Sequence, residues 1–191
     1  MVEESHETSA EAITAWRRSG EDVVSEEMKM VPTEGEGDDA RTLWLACHAQ
    51  VRRFSALLLR LEGHLQTHGY DEEARQAAQS IRRYFNQAAP LHHQDEAEDL
   101  FPALLALSGQ GTVAAQHFLE EHSLLELLWR QIDADLQAQR LDADVVKRFA
   151  EAYARHAQDE EDWALPLFAE LPATQLQRIG ERMVARRTCK S

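Results

Sequence analysis

From residue 40 onward, apolar residues recur at three- and four-residue intervals almost without a break. That is the period of amphipathic helices. The pattern predicts four long helices, over residues 39–68, 71–108, 113–140 and 142–170, and a short fifth over 173–187. The punctuation agrees. Asp39 or Asp38 can cap the first helix, Gly69 stops it, and Asp71 opens the second. Ser108-Gly109-Gln110-Gly111-Thr112 reads as a turn, and Pro172 follows the end of the fourth helix. Pro90 falls inside the second helix and is expected to kink or interrupt it. Long helices with short connections predict an all-α fold, an antiparallel up-down-up-down four-helix bundle with a short C-terminal helix.

The apolar stripes carry polar intruders. One face of the second helix reads Ile81, Phe85, Ala88, His92, Glu96, Leu100, Ala103, and one face of the fourth reads Val146, Phe149, Tyr153, His156, Glu160, Trp163, Leu167. On the first helix His48 follows Trp44 by four, and on the third His122 follows Phe118 by four. Polar groups on a buried stripe are costly unless paired.

Two of these stripes are copies. His92-His93-Gln94-Asp95-Glu96 recurs as His156-Ala157-Gln158-Asp159-Glu160, with Phe85 and Phe149 seven residues upstream and Pro102 and Pro166 ten downstream. A His and a Glu four apart share one helix face, and imidazole and carboxylate suit iron, manganese or zinc. Each half of the chain thus offers a lone inward His and a His-x-x-x-Glu pair. Six groups follow as candidate metal ligands: His48, His92, Glu96, His122, His156 and Glu160.

Other residues are weaker candidates. His93 lies about 100° around the helix from His92 and is expected at the surface, with a supporting or alternative ligand role as the other option. Glu126, four after His122, and Glu161, beside Glu160, are further carboxylates, and the repeat favours Glu160. His6, His64, His68 and His117 read as incidental, and Cys47 as a packing thiol.

Composition narrows the function. The formal net charge of -14 argues against binding a nucleic-acid backbone. Residues 1–39 hold twelve Asp or Glu against three Lys or Arg, and read as an acidic, largely disordered N-terminal arm in which Trp16 is the lone aromatic. Residues 40–191 form the predicted domain. Two cysteines, no apolar leader and no membrane-length apolar run predict a cytoplasmic protein with no membrane partner.

The segments Cys47-His48-Ala49, His92 to Glu96 through Pro102, Glu121-His122, His156 to Glu160 through Pro166, and the closing residues 181–187 resemble the hemerythrin family, in its bacterial HHE cation-binding branch. The resemblance spans about residues 40–187. It implies two iron ions in a non-haem centre, bridged by Glu96 and Glu160, with His48 and His156, and His92 and His122, completing the irons in some division. Zinc or manganese can replace iron in a purified sample. The chain departs from the oxygen-carrying hemerythrins at two places. Glu126 stands where they have a second third-helix His, and its last carboxylate comes four residues after His156, at Glu160, rather than five. Unlike ferritin-like di-iron proteins, which use Glu-x-x-His, this chain has His-x-x-x-Glu.

The leading expectation is a di-iron protein that binds or senses oxygen, related oxidants or iron, with a small diatomic molecule or peroxide as its partner. The alternative is a di-iron enzyme acting on peroxide or nitric oxide. A zinc-binding or purely structural bundle is the third class.

Overall fold

The computed structural model describes residues 39–108 and 112–188. Residues 1–38 of the expected arm, residues 109–111 of the expected turn and Cys189 lie outside them.

The helices begin and end on the residues that the sequence marks. Helix α1 is Ala40–His68, and the Asp39 carboxylate accepts from the Thr42 amide at 2.9 Å. It stops where Gly69 adopts φ +75°, a conformation that costs a residue without Cβ little. Helix α2, from Glu72 to Ser108, opens on Asp71, which accepts from the Ala74 amide at 2.8 Å and from His64 Nε2 at 3.0 Å. Helix α3 is Thr112–Gln137. It ends short of residue 140 because Gln139 turns to φ 58°. Helix α4 is Ala143–Phe168, capped by Asp142, and helix α5 is Ala173–Thr188.

The expected break at Pro90 takes another form. Helix α2 runs on without interruption as Glu72–Arg83, a π turn Tyr84–Ala88, Ala89–Asp95, a second π turn Glu96–Leu100, and Phe101–Ser108. Each of its prolines, Pro90 and Pro102, comes two residues after a π turn. A proline ring clashes with the carbonyl four residues back and supplies no amide. The wider turn absorbs both problems, with Ala89 bonding back to Tyr84 and Phe101 to Glu96. It also turns neighbours inward together: Tyr84 with Phe85, Asp95 with Glu96, and Asp99 with Leu100 are all buried.

The core gives the helix directions. Trp44, Leu100, Phe101, Phe118, Ala164 and Phe168 belong to one apolar cluster. On α1 and α3 its members precede the inward His, and on α2 and α4 they follow the inward Glu. Neighbouring helices therefore run oppositely, up-down-up-down. Helix α1 packs on α2 and α4, and α3 on α4. Helix α5 closes this end with Ile179 and Met183, both essentially inaccessible. A second apolar layer, including Val51, Ile81, Phe85, Leu125, Trp129 and Phe149, fills the opposite side of the inward polar groups. Burying each such side chain contributes about 1.5–3 kcal/mol. No helix among the described residues is long and apolar enough to cross a membrane.

Candidate metal centre

Between the two apolar layers the four helices bring together His48, His92, Glu96, His122, His156 and Glu160, none more than 9% exposed. Each helix contributes through the register set by its apolar stripe. The four Nε2 atoms face the two carboxylates in an ordered way. Glu96 Oε1 lies 3.2 Å from His92 Nε2 and 3.6 Å from His48 Nε2, while Glu96 Oε2 lies 3.3 Å from His122 Nε2. Glu160 is used in the mirrored sense. Its Oε1 is 3.2 Å from His156 Nε2 and 3.5 Å from His122 Nε2, and its Oε2 is 3.2 Å from His48 Nε2.

Each carboxylate thus divides its oxygens between two histidine pairs. The pairs are His48 with His92 and His122 with His156, their rings 4.9 and 4.8 Å apart and steeply inclined. Each pair joins a His from each helix of one hairpin.

The arrangement fits a pair of cations better than a hydrogen-bonded core. Six buried atoms that face the centre have no hydrogen-bond partner: His48 Nε2, Glu96 Oε2, His122 Nε2, His156 Nε2 and both oxygens of Glu160. Each buried orphan costs about 1–3 kcal/mol. Two ligand atoms bound about 2.1 Å from one ion sit roughly 3–3.5 Å apart, close to the spacings seen here.

The groups around the centre hold the ligands in place. His48 Nδ1 meets Glu161 Oε1 at 2.8 Å, and Arg52 donates to the same oxygen at 2.8 Å. His156 Nδ1 meets Glu121 Oε2 at 2.9 Å. A carboxylate on Nδ1 fixes the tautomer that leaves the Nε2 lone pair facing the centre. The Trp44 indole donates to Glu96 Oε1 at 2.7 Å. Sequence reasoning did not assign these roles to Glu121 and Trp44; an acid or indole one turn or one residue from a candidate ligand was the signal.

Charge is balanced locally without metal. Burial pulls His48 and His122 down, but the Glu160 and Glu96 carboxylates outweigh it and raise each to about 9. Burial dominates at His92, lowered to about 3. Burial would raise Glu96, yet His92, His122 and His48 together hold it well below the usual carboxylate range.

The other candidates fall elsewhere. The expectation that His93 lies at the surface is overturned: its ring stacks on His122 at 3.8 Å with 5° between planes, and its Nε2 is 2.8 Å from the Tyr153 hydroxyl. His93 is half-buried beside His92, at the position where Ala157 is buried beside His156 in the regular helix α4. Glu126 is exposed and bonds Arg130 instead. Glu161 supports His48 from outside. His64 serves the α2 cap, and His117 is exposed beside Glu121. Cys47 is half-buried and accepts from Arg187 at 3.5 Å.

Comparison with known proteins agrees with this geometry. The family model for the hemerythrin HHE cation binding domain matches residues 39–168. An uncharacterized protein of Haemophilus influenzae is 36% identical over 155 residues, covering 76% of this chain and 88% of that protein.

Proposed function

The chain belongs to the hemerythrin HHE cation-binding family, and we propose that it is a non-haem di-iron protein that binds or senses oxygen, related oxidants or iron itself. The observation that carries this reading is the split of each buried carboxylate between two histidine pairs. His48 and His92 would hold one iron, His122 and His156 the other, and Glu96 and Glu160 both.

Iron held by four imidazoles and two carboxylates would supply redox chemistry and open coordination positions for a small ligand. The chain does the rest. Glu161 and Glu121 keep the Nε2 atoms of His48 and His156 available as ligands. Trp44 restrains Glu96. The apolar layers on both sides exclude bulk water and strengthen the electrostatic attraction between ligand and cation. The donor set contains no thiolate, which suits iron and also admits zinc or manganese.

The test is anaerobic reconstitution with ferrous iron, metal counting, then oxygen titration followed by visible absorption. Two irons per chain with bands that reverse on deoxygenation support a binding or sensing role. Steady consumption of peroxide or nitric oxide makes the protein an enzyme. Colourless, stoichiometric zinc with no iron uptake overturns the di-iron reading.

A further inference from the structure

The paired histidines of α2 have different surroundings. His92 faces Glu96 inside the centre, whereas His93 lies flat on His122 and meets the buried Tyr153 hydroxyl. His93 nonetheless brings a ring nitrogen within 4.8 Å of ligand atoms of His122 and His156. That cluster lies on the His122–His156 side of the centre.

His93, His122 and Tyr153 also line the inner end of a cleft of about 490 Å³, walled by Phe85, Trp129 and Phe149. That volume lies within the roughly 300–1,000 Å³ of small-molecule sites. It far exceeds the about 30 Å³ share of a single water, so it is oversized for a diatomic gas. At this end the Tyr153 hydroxyl and His93 Nε2 lie within hydrogen-bond distance, 2.8 Å apart. The charged residues of the lining, Glu126 and Arg130, pair with each other.

We propose that this cleft binds a small organic molecule, an aryl or short alkyl group bearing one hydroxyl or hydroperoxyl, whose polar end reaches His93 and the His122–His156 side of the centre. Aromatic walls fit the organic body, and the His93–Tyr153 pair offers hydrogen bonding to its head. The link to the metal rests on the di-iron reading; the pocket itself does not.

Phenol is the probe, with benzene as a control of similar size that lacks the hydroxyl. Iron-loaded, full-length protein is titrated with each, following the visible iron bands and tryptophan fluorescence. The expected result is saturable phenol binding in the millimolar range, about tenfold tighter than benzene, with a change in the iron spectrum. Ser123→Trp, at an exposed position of the lining, and Ala89→Leu, inside the cleft, should each weaken phenol about tenfold with helicity and iron content unchanged. Tyr153→Phe should weaken it while keeping the ring. Absent saturation up to about 50 mM, or equal affinity in Ser123→Trp and Ala89→Leu, overturns the proposal. The two readings fail separately. If iron does not load but phenol still quenches fluorescence that Trp129→Phe removes, the pocket stands and the di-iron centre falls. If two irons load and phenol does not bind, the pocket alone falls.

Discussion

Glu161 reaches across from α4 to hold His48 from behind: its Oε1 lies 2.8 Å from His48 Nδ1, while Glu160, one residue earlier, faces Nε2 of the same ring. Two consecutive acids on one helix thus grip opposite sides of one imidazole. Glu161→Ala should weaken metal binding about 10–100-fold, the usual effect of losing a ligand's supporting partner, without removing a ligand. Competition with a chelator of known affinity measures this. Unchanged affinity would mean that Glu161 is a solvated acid that happens to lie near.

Glu96→Ala or Glu160→Ala should be more severe, because each carboxylate offers one oxygen to each histidine pair. Either substitution is expected to lower iron content from two per chain toward one or none. If both variants retain full iron, the shared-carboxylate assignment is wrong.

Metal should raise the melting temperature. Binding only to the folded state stabilises it by about 2.7 kcal/mol at a free concentration one hundred times the dissociation constant, and here it also satisfies buried orphan atoms. Calorimetry with iron and with excess chelator measures the difference. Identical midpoints at saturating metal would contradict it.

The metal-free protein should be most stable near pH 6.5. His48 and His122 are raised to about 9. Their contribution is fully present below the unfolded value of about 6.5 and is lost as pH rises toward 9, where the folded state still holds protons that the unfolded chain has released. His92, lowered to about 3, and His93, also lowered, act the other way. Below about 6.5 the unfolded chain takes up protons that these rings refuse, so stability falls with falling pH. Melting temperature against pH in chelator should trace a maximum, and a flat profile from pH 5 to 9 would contradict the charge pattern. Saturating metal should suppress the alkaline limb, since a ligating imidazole carries no proton on its donor nitrogen.

Asp95 is fully buried, yet Arg186 and Arg187 of α5 both pair with it, Arg187 at 2.6 Å. Burial raises Asp95 despite the arginines. Arg187→Ala should cost about 1.5–3 kcal/mol, read from urea unfolding. Adding Asp95→Ala to Arg187→Ala should cost less than the two single losses summed, since no buried carboxylate is then left short of a partner.

Much of this was written in the helical pattern. Asp39, Asp71 and Asp142 cap helices because a carboxylate can satisfy exposed amides wherever it lies at a helix start. The six inward polar groups stood out because each interrupts an apolar stripe. What the pattern concealed came from the width of the buried face and from α5. A residue about 100° around from His92 still falls inside the bundle. The counterpart of His93 in the second copy, Ala157, is 1% exposed, so the repeat itself held the clue that this position faces inward. The repeat also hid an asymmetry. Asp95 is enclosed by α5, whereas Asp159 at the matching position is exposed, because α5 packs on α1 and α2. Those pairings are long-range and leave no local signature.

The divided carboxylates also bear on the order of assembly. An unfolded chain can form only the local pairs, His92 with Glu96 and His156 with Glu160, within single helices. Neither position between the histidine pairs exists until α1 and α3 have docked, since His48 and His122 complete them from other helices. Loop closure between distant helices comes before such contacts reward the chain. Tight cation capture is therefore a report that the bundle has closed, and the metal acts as a late latch across two hairpins rather than a seed around which they gather.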